Sequence, residues 1–191
     1  SRPEFTDPEI LRTNLASVIL QMLGLGLGDM QQFPFVQAPD SRNINDGLTL
    51  LEELEAIKPA KRHKKTELTN SGRSLSRLPV DPRLAKMVLT ADGLGALREV
   101  IIIVAALSIQ DPRERPQEKR GAADEKHGRF DDPDSDFIAF LNLWNYLEEQ
   151  QSELSNSQFR KLCQKDFLAY MRIREWQDIV YQLSTVCNEM G

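Results

Sequence analysis

The stretch Leu78-Pro79-Val80-Asp81-Pro82 divides this chain. Two prolines three residues apart fix the backbone and withdraw two amide donors, so no helix or central strand runs through them. A domain boundary is therefore expected between residues 78 and 79. Ahead of it, Leu11, Leu15, Val18, Ile19 and Met22 recur at helical spacing. Asp7 is placed to cap that helix, Pro8 suits its first position, and Gly24, Gly26 and Gly28 end it. Phe33-Pro34-Phe35 and Ala38-Pro39-Asp40 mark a loop. A second helix is expected from about Arg42 to Ile57, with Ile44, Leu48, Leu51 and Leu54 inward. The polar, basic stretch from Lys58 to Thr69 follows, with a strand-like piece at Thr66–Thr69. Helix, loop, helix and basic hairpin make the outline of a winged helix over residues 1–78.

After the boundary, helical patterns dominate. Asp81-Pro82 opens one with Leu84, Met87, Val88 and Ala91, broken by Gly93 and Gly95. Another runs from Leu97 through Ile101 and Val104 to Leu107. Residues 111–134 are charged and proline-bearing, as in a long loop with a short helix inside it. Phe137, Phe140, Leu141, Trp144 and Leu147 form an aromatic face, and Ser155 with Gln158 makes a capping-box pair. A final helix, about Tyr170 to Asn188, buries Ile173, Trp176, Ile179 and Leu183. The expected fold class is mostly α, with a small β-hairpin in the winged helix and an all-α bundle over residues 79–191.

Composition narrows the function classes. Hydrophobic residues make up 40% of the 191, enough for a core, and no apolar run approaches the roughly 18 residues of a membrane span. The first 79 residues balance acids against bases, so the net charge of −5 falls on the second part. A nucleic-acid-binding surface would therefore have to be local. Cys163 and Cys187 with His63 and His127 form no zinc-ligand spacing, and two buried thiols in a reducing cytoplasm are expected. Ser1-Arg2-Pro3-Glu4 is no signal peptide, and the missing initiator methionine suits a fragment of a larger chain.

No GxxxxGK[ST] phosphate loop occurs. Gly24-Leu25-Gly26-Leu27-Gly28 follows a helix rather than a strand and is not read as a nucleotide loop. Asp124-Glu125-Lys126-His127 matches a DEAH box by letter, but polar residues precede it where a buried strand is required. No catalytic site is expected in this chain.

Four stretches, in order, carry a family resemblance. They are Pro8 to Met22; Leu68-Thr69 with Gly72-Arg73 and Leu78 to Met87; Ala105 to Pro116; and Asp124 to His127 leading to Ser135-Asp136-Phe137 and Leu143 to Leu147. Over nearly its whole length the chain resembles the winged-helix and ratchet-like accessory region of bacterial DEAH-box ATP-dependent RNA helicases, without their motor domains. The resemblance implies a ratchet-like bundle over residues 79–191 that covers single-stranded RNA while motor domains hydrolyse the nucleotide. It implies no cofactor here, with ATP and magnesium in the absent motor domains. Single-stranded RNA, the motor domains of the same parent chain and protein regulators are the expected partners.

Strand guiding requires cations near phosphates and flat groups near bases. Arg113 and Arg115, in a proline-bounded loop, are candidates against RNA phosphates, with Lys126, Arg129, Arg172 and Arg174 beside them. Their alternative is internal pairing, as with Asp111 or Glu114. Lys61, Arg62, Lys64 and Lys65 would form a phosphate-contacting wing, or a solvated hairpin tip. Trp144 and Trp176 suit core packing better than base stacking. A winged-helix regulator of duplex DNA is disfavoured, because the second helix offers Arg42 against Glu52, Glu53 and Glu55. A helical protein-interaction module is a third possibility. Phe33 and Phe35 are expected to lie bare without the motor domains.

Overall fold

The computed structural model describes residues 8–58 and 65–191, with side chains from Leu11 onward in the first segment. Among these residues the chain is mostly helical, with nine α-helices. Their contacts divide it into two units. The first holds the described residues up to Gly93 together with Asn188–Gly191, and the second is Leu94–Cys187.

In the first unit, α1 (Pro8–Gly24) packs on α2 (Ser41–Glu53). The close approach is made at Gly47, where a Cβ would lie 3.1 Å from Ile19 Cδ1 and 3.2 Å from the Ala16 nitrogen. Ala16, Ile19, Leu20, Ile44, Leu50 and Leu51 fill the seam. Arg12 ties its edge, with its guanidinium 2.9 Å from the Glu53 carboxylate and Nε donating to the Asp46 carbonyl. The capping role of Asp7 lies outside the described residues.

The second helix was expected to reach Ile57 but stops at Glu53. Glu55 takes φ +57°, its N–H donates to the Glu52 carbonyl, and the Ala56 N–H returns to the Leu51 carbonyl. This is a Schellman ending with glutamate where glycine is usual. The chain continues through the buried Ala56 and Ile57, and Ile57 forms an antiparallel bridge with Leu68. The expected hairpin is not confirmed: the described residues show only that isolated bridge and the bonds Lys58 N–H to Glu67 O and Thr69 N–H to Ala56 O. No longer strand is formed there among the described residues.

Sequence patterning missed α3 (Asn70–Arg77). Thr69 creates it. Its Oγ1 accepts from the Gly72 N–H at 2.9 Å, capping the helix, and donates to the Glu55 carbonyl at 2.6 Å. Gly72 is required for close approach, because a Cβ there would stand 1.8 Å from the Ala56 carbonyl oxygen. The Leu68-Thr69…Gly72-Arg73 stretch thus has a physical reading: bridge, cap and clearance in five residues. The helix α4 (Pro82–Asp92) starts as expected, with Asp81 Oδ1 accepting from Arg83 and Leu84 amides and Pro82 at the first position.

The second unit contains α5 (Leu97–Leu107), α6 (Arg120–Gly128), α7 (Asp136–Glu153), α8 (Asn156–Lys165) and α9 (Tyr170–Met190) as far as Cys187. A 3-10 turn at Gln117–Lys119 leads into α6, so the charged 111–134 segment does hold a short helix. The core is aromatic. Trp176 is fully buried and donates Nε1–H to the Ile102 carbonyl at 3.0 Å. Its ring meets Trp144 edge-on at 5.0 Å and Phe140 at 6.2 Å. Both tryptophans are therefore core residues. The Ser155–Gln158 capping box forms at the start of α8. Burial of Cys163 pushes its thiol pKa up to about 11, which leaves it inert, while Cys187 is half-buried.

Some positions read as inward are not. Val18, Met87, Leu107 and Phe137 are exposed, and Leu48 and Ile179 are only half-buried. Helical spacing fixes a face but not how wide a strip of it the neighbours cover. Phe33 is exposed and Phe35 half-buried, their rings 4.7 Å apart.

Candidate nucleic-acid interface

Arg113, Arg115, Arg129 and Arg172 are tied to the region where the 111–116 segment meets the turn between α8 and α9. Backbone fixes the junction. Arg113 bridges Leu168, the Glu114 N–H donates to the Phe167 carbonyl at 2.8 Å, and the Ala169 N–H donates to Pro112 at 2.8 Å. The turn is itself a second Schellman ending: Leu168 N–H to Cys163 O, Phe167 N–H to Gln164 O, and Phe167 at φ +53°.

Side chains then lock the junction. His127, buried on α6, points Nε2 at the carbonyls of Asp166 and Phe167, 3.0 and 3.1 Å away. Both are acceptors, so Nε2 carries the proton. The buried Asp166 carboxylate accepts from Arg129 at 2.6 Å and from the Tyr146 hydroxyl at 2.8 Å. The Arg129 guanidinium lies over the rings of Phe130 and Tyr146, at 4.6 and 4.5 Å. Burial and the hydrogen bond to Asp166 both push the Tyr146 hydroxyl pKa up. The four letters Asp124-Glu125-Lys126-His127 sit on α6, where His127 acts as a backbone clamp.

Each sequence-derived candidate has a definite place. Arg113 makes a two-pronged contact with Asp111 at 3.0 and 2.9 Å and lies 4.8 Å over the Phe140 ring. Burial pushes the Asp111 carboxyl up, but hydrogen bonds from the Arg113 side chain and backbone hold it below its ordinary value overall. Arg115 forks onto Asp124 at 2.6 and 2.8 Å, the exposed pair holding the Asp124 carboxyl low. Arg172 donates to the Asp111 carbonyl at 2.9 Å. Lys126 is half-buried on α6. Arg174 is exposed and reaches the Tyr170 hydroxyl at 3.4 Å. Lys61, Arg62 and Lys64 lie outside the described residues, and Lys65 is exposed beside a depression lined by Gly28, Asp29 and Phe33.

Sequence reasoning passed over Arg160 and Tyr170. The Arg160 guanidinium lies 4.7 Å over the Tyr170 ring, while Arg174 meets the same residue at its hydroxyl. Hydrogen bonds from Arg160 and then Arg174 lower the Tyr170 pKa. Beside them is an open groove of about 700 Å³, whose lining includes Pro116, Lys119, Arg160, Gln164, Phe167 and Tyr170. The available signal was an arginine ten residues before a tyrosine across a helix break, too loose a spacing to select. The described residues contain no group of three or more acidic, histidine or cysteine side chains placed to hold a metal. No helix among them is long and apolar enough to cross a membrane.

Comparison with known proteins adds the remaining observation. The family described as "Helicase associated domain (HA2), ratchet-like" matches residues 81–169. The whole chain is 65% identical over 191 residues to the ATP-dependent RNA helicase HrpA of Escherichia coli, spanning 15% of that protein. It is 66% identical over 193 residues to the HrpA homolog of Haemophilus influenzae, again covering 15% of its length.

Proposed function

We propose that this chain is an accessory region of an ATP-dependent DEAH-box RNA helicase, because residues 81–169 match the ratchet-like helicase-associated family and the whole chain matches a 15% stretch of HrpA-type helicases. In this reading it packs on the motor domains of its parent chain and guides single-stranded RNA in the cytoplasm during unwinding. ATP and magnesium act in those motor domains, and this region carries no catalytic group and no cofactor of its own. The full-length match at 65% identity is the observation that carries the reading.

The region of residues 1–78 takes the winged-helix role. Two packed helices, the Ile57–Leu68 bridge and the basic residues flanking it support that assignment. Lys61, Arg62, Lys64 and Lys65 are then its phosphate-contacting wing. In the second unit Arg113, Arg115, Lys126, Arg129, Arg172 and Arg174 supply the positive field toward the strand. An arginine that holds a carboxylate through two N–H groups keeps others free, so pairing fixes its position without ending its use toward phosphate. Protein regulators would dock on the faces left bare, among them Phe33 and Val36.

Fluorescence anisotropy of the chain with a labelled single-stranded RNA, titrated across salt, tests this. Binding that weakens steeply as salt rises is expected, because each neutralised phosphate releases counterions. Salt-independent binding, or none at low salt, removes strand guiding from this region.

A further inference from the structure

The second unit uses most of the arginines just described internally. Arg113, Arg115 and Arg129 each hold a carboxylate, and Arg172 holds a backbone carbonyl. Arg160 and Arg174 differ. Among the described residues neither has a carboxylate partner, and both converge on one aromatic residue, Tyr170.

Phe167 supplies a second, independent observation. It occupies the left-handed position that ends α8, at φ +53°. A side chain there costs about 1 kcal/mol or more relative to glycine. Phe167 is only half-buried and lines the same groove as Arg160 and Tyr170. Strain borne by a large aromatic residue beside an open groove calls for a use of that ring. The groove volume of about 700 Å³ falls within the range of small-ligand sites.

We propose that this groove receives one unpaired RNA nucleotide, with its base stacked against Phe167 and Tyr170 and its phosphate held by Arg160. Lys119 adds positive charge on the groove wall, and Gln164 offers an amide to the base edge. Glu114 and Glu118 also line the groove and repel a phosphate from their side. They bias the nucleotide toward the orientation that places its phosphate on Arg160. The site has no sequence code, because every base presents a π-face, and that suits a region over which any strand must slide. This inference rests on the strand-guiding reading and adds a position and a contact type to it.

The test is an anisotropy titration of the full 191-residue chain with two labelled strands, one base-bearing single-stranded RNA and one abasic ribose-phosphate strand. The variants are Phe167→Gly and Arg160→Gln. Phe167→Gly removes the ring while giving the left-handed position its preferred residue, so a thermal melt no lower than wild type separates lost binding from lost folding. The expected result is an affinity for the base-bearing strand weakened about fivefold or more in each variant. Wild type should also prefer the base-bearing strand by a similar factor, and Phe167→Gly should abolish that preference. Wild-type binding that is unchanged in both variants overturns the groove and leaves the strand-guiding reading standing. An abasic strand bound as tightly as the base-bearing one overturns stacking. No binding by wild type overturns both.

Discussion

The two units solve the same local problem in different ways. In each, a helix ends in a Schellman turn at a left-handed residue other than glycine, Glu55 after α2 and Phe167 after α8. In each, the chain then forms one antiparallel bridge and enters a new helix, α3 or α9. The first crossing is local: Leu68 pairs with Ile57, and a threonine hydroxyl with a glycine's missing side chain complete it. The second is remote. Its partner, Arg113, precedes Leu168 by more than the length of two helices, and His127 of α6, Arg129 just after it and Tyr146 of α7 hold the pairing. A local crossing is secured by clearance and a cap. A remote one needs a network, because loop closure costs more before the contacts form.

Breaking each crossing should expose that difference. Gly72→Ala is expected to have the largest effect, because its Cβ would fall 1.8 Å from the Ala56 carbonyl oxygen and only backbone movement relieves the overlap. A loss of about 3 kcal/mol or more is expected, read by far-ultraviolet circular dichroism during chemical denaturation. Asp166→Ala should come next. It leaves the Tyr146 hydroxyl and the partly exposed Arg129 without their shared carboxylate, for about 2 kcal/mol, seen as an earlier tryptophan fluorescence transition. If Gly72→Ala cost less than Asp166→Ala, clearance would not be what secures the first crossing.

Acid sharpens the comparison on the second side only. Arg113 holds the Asp111 carboxyl below its ordinary value. The stability from that ionised carboxylate is present in full above the unfolded carboxylate pKa of about 3.9, and is lost as pH falls through the lower folded value. The stability gap between wild type and Asp111→Asn should therefore hold constant from neutral pH to about 4 and close below it, measured by denaturation at stepped pH. The smallest effect is expected from Glu55→Gly. Relief of the left-handed strain outweighs the added freedom of the unfolded chain by roughly 0.5 kcal/mol, a small rise in melting temperature. A fall would mean the Glu55 carboxylate, 3.6 Å from Lys86 Nζ, matters more than its backbone.

These features also show what the sequence could disclose. Leu97–Leu107 was readable at both ends because its apolar spacing is unbroken, and Asp81-Pro82 and Ser155 with Gln158 are start signals whose chemistry is local. The eight residues of α3 carry Leu75 as their one large buried side chain, too little to register as a periodic face. The early end of α2 was invisible because a left-handed glutamate has no signature as glycine does. At the candidate site the arginines were legible by type, but their partners were not. Asp124 is nine residues from Arg115, and Asp166 is 37 from Arg129, so pairing depends on tertiary placement. Arg160 and Tyr170 escaped for the same reason.

The aromatic core has a spectroscopic consequence. Both tryptophans and all three tyrosines, Tyr146, Tyr170 and Tyr181, belong to Leu94–Cys187, with the indole rings 5.0 Å apart. The first unit contributes only phenylalanine to the near-ultraviolet spectrum. Intrinsic emission is thus a reporter of one half of the molecule, and the other half could melt in darkness.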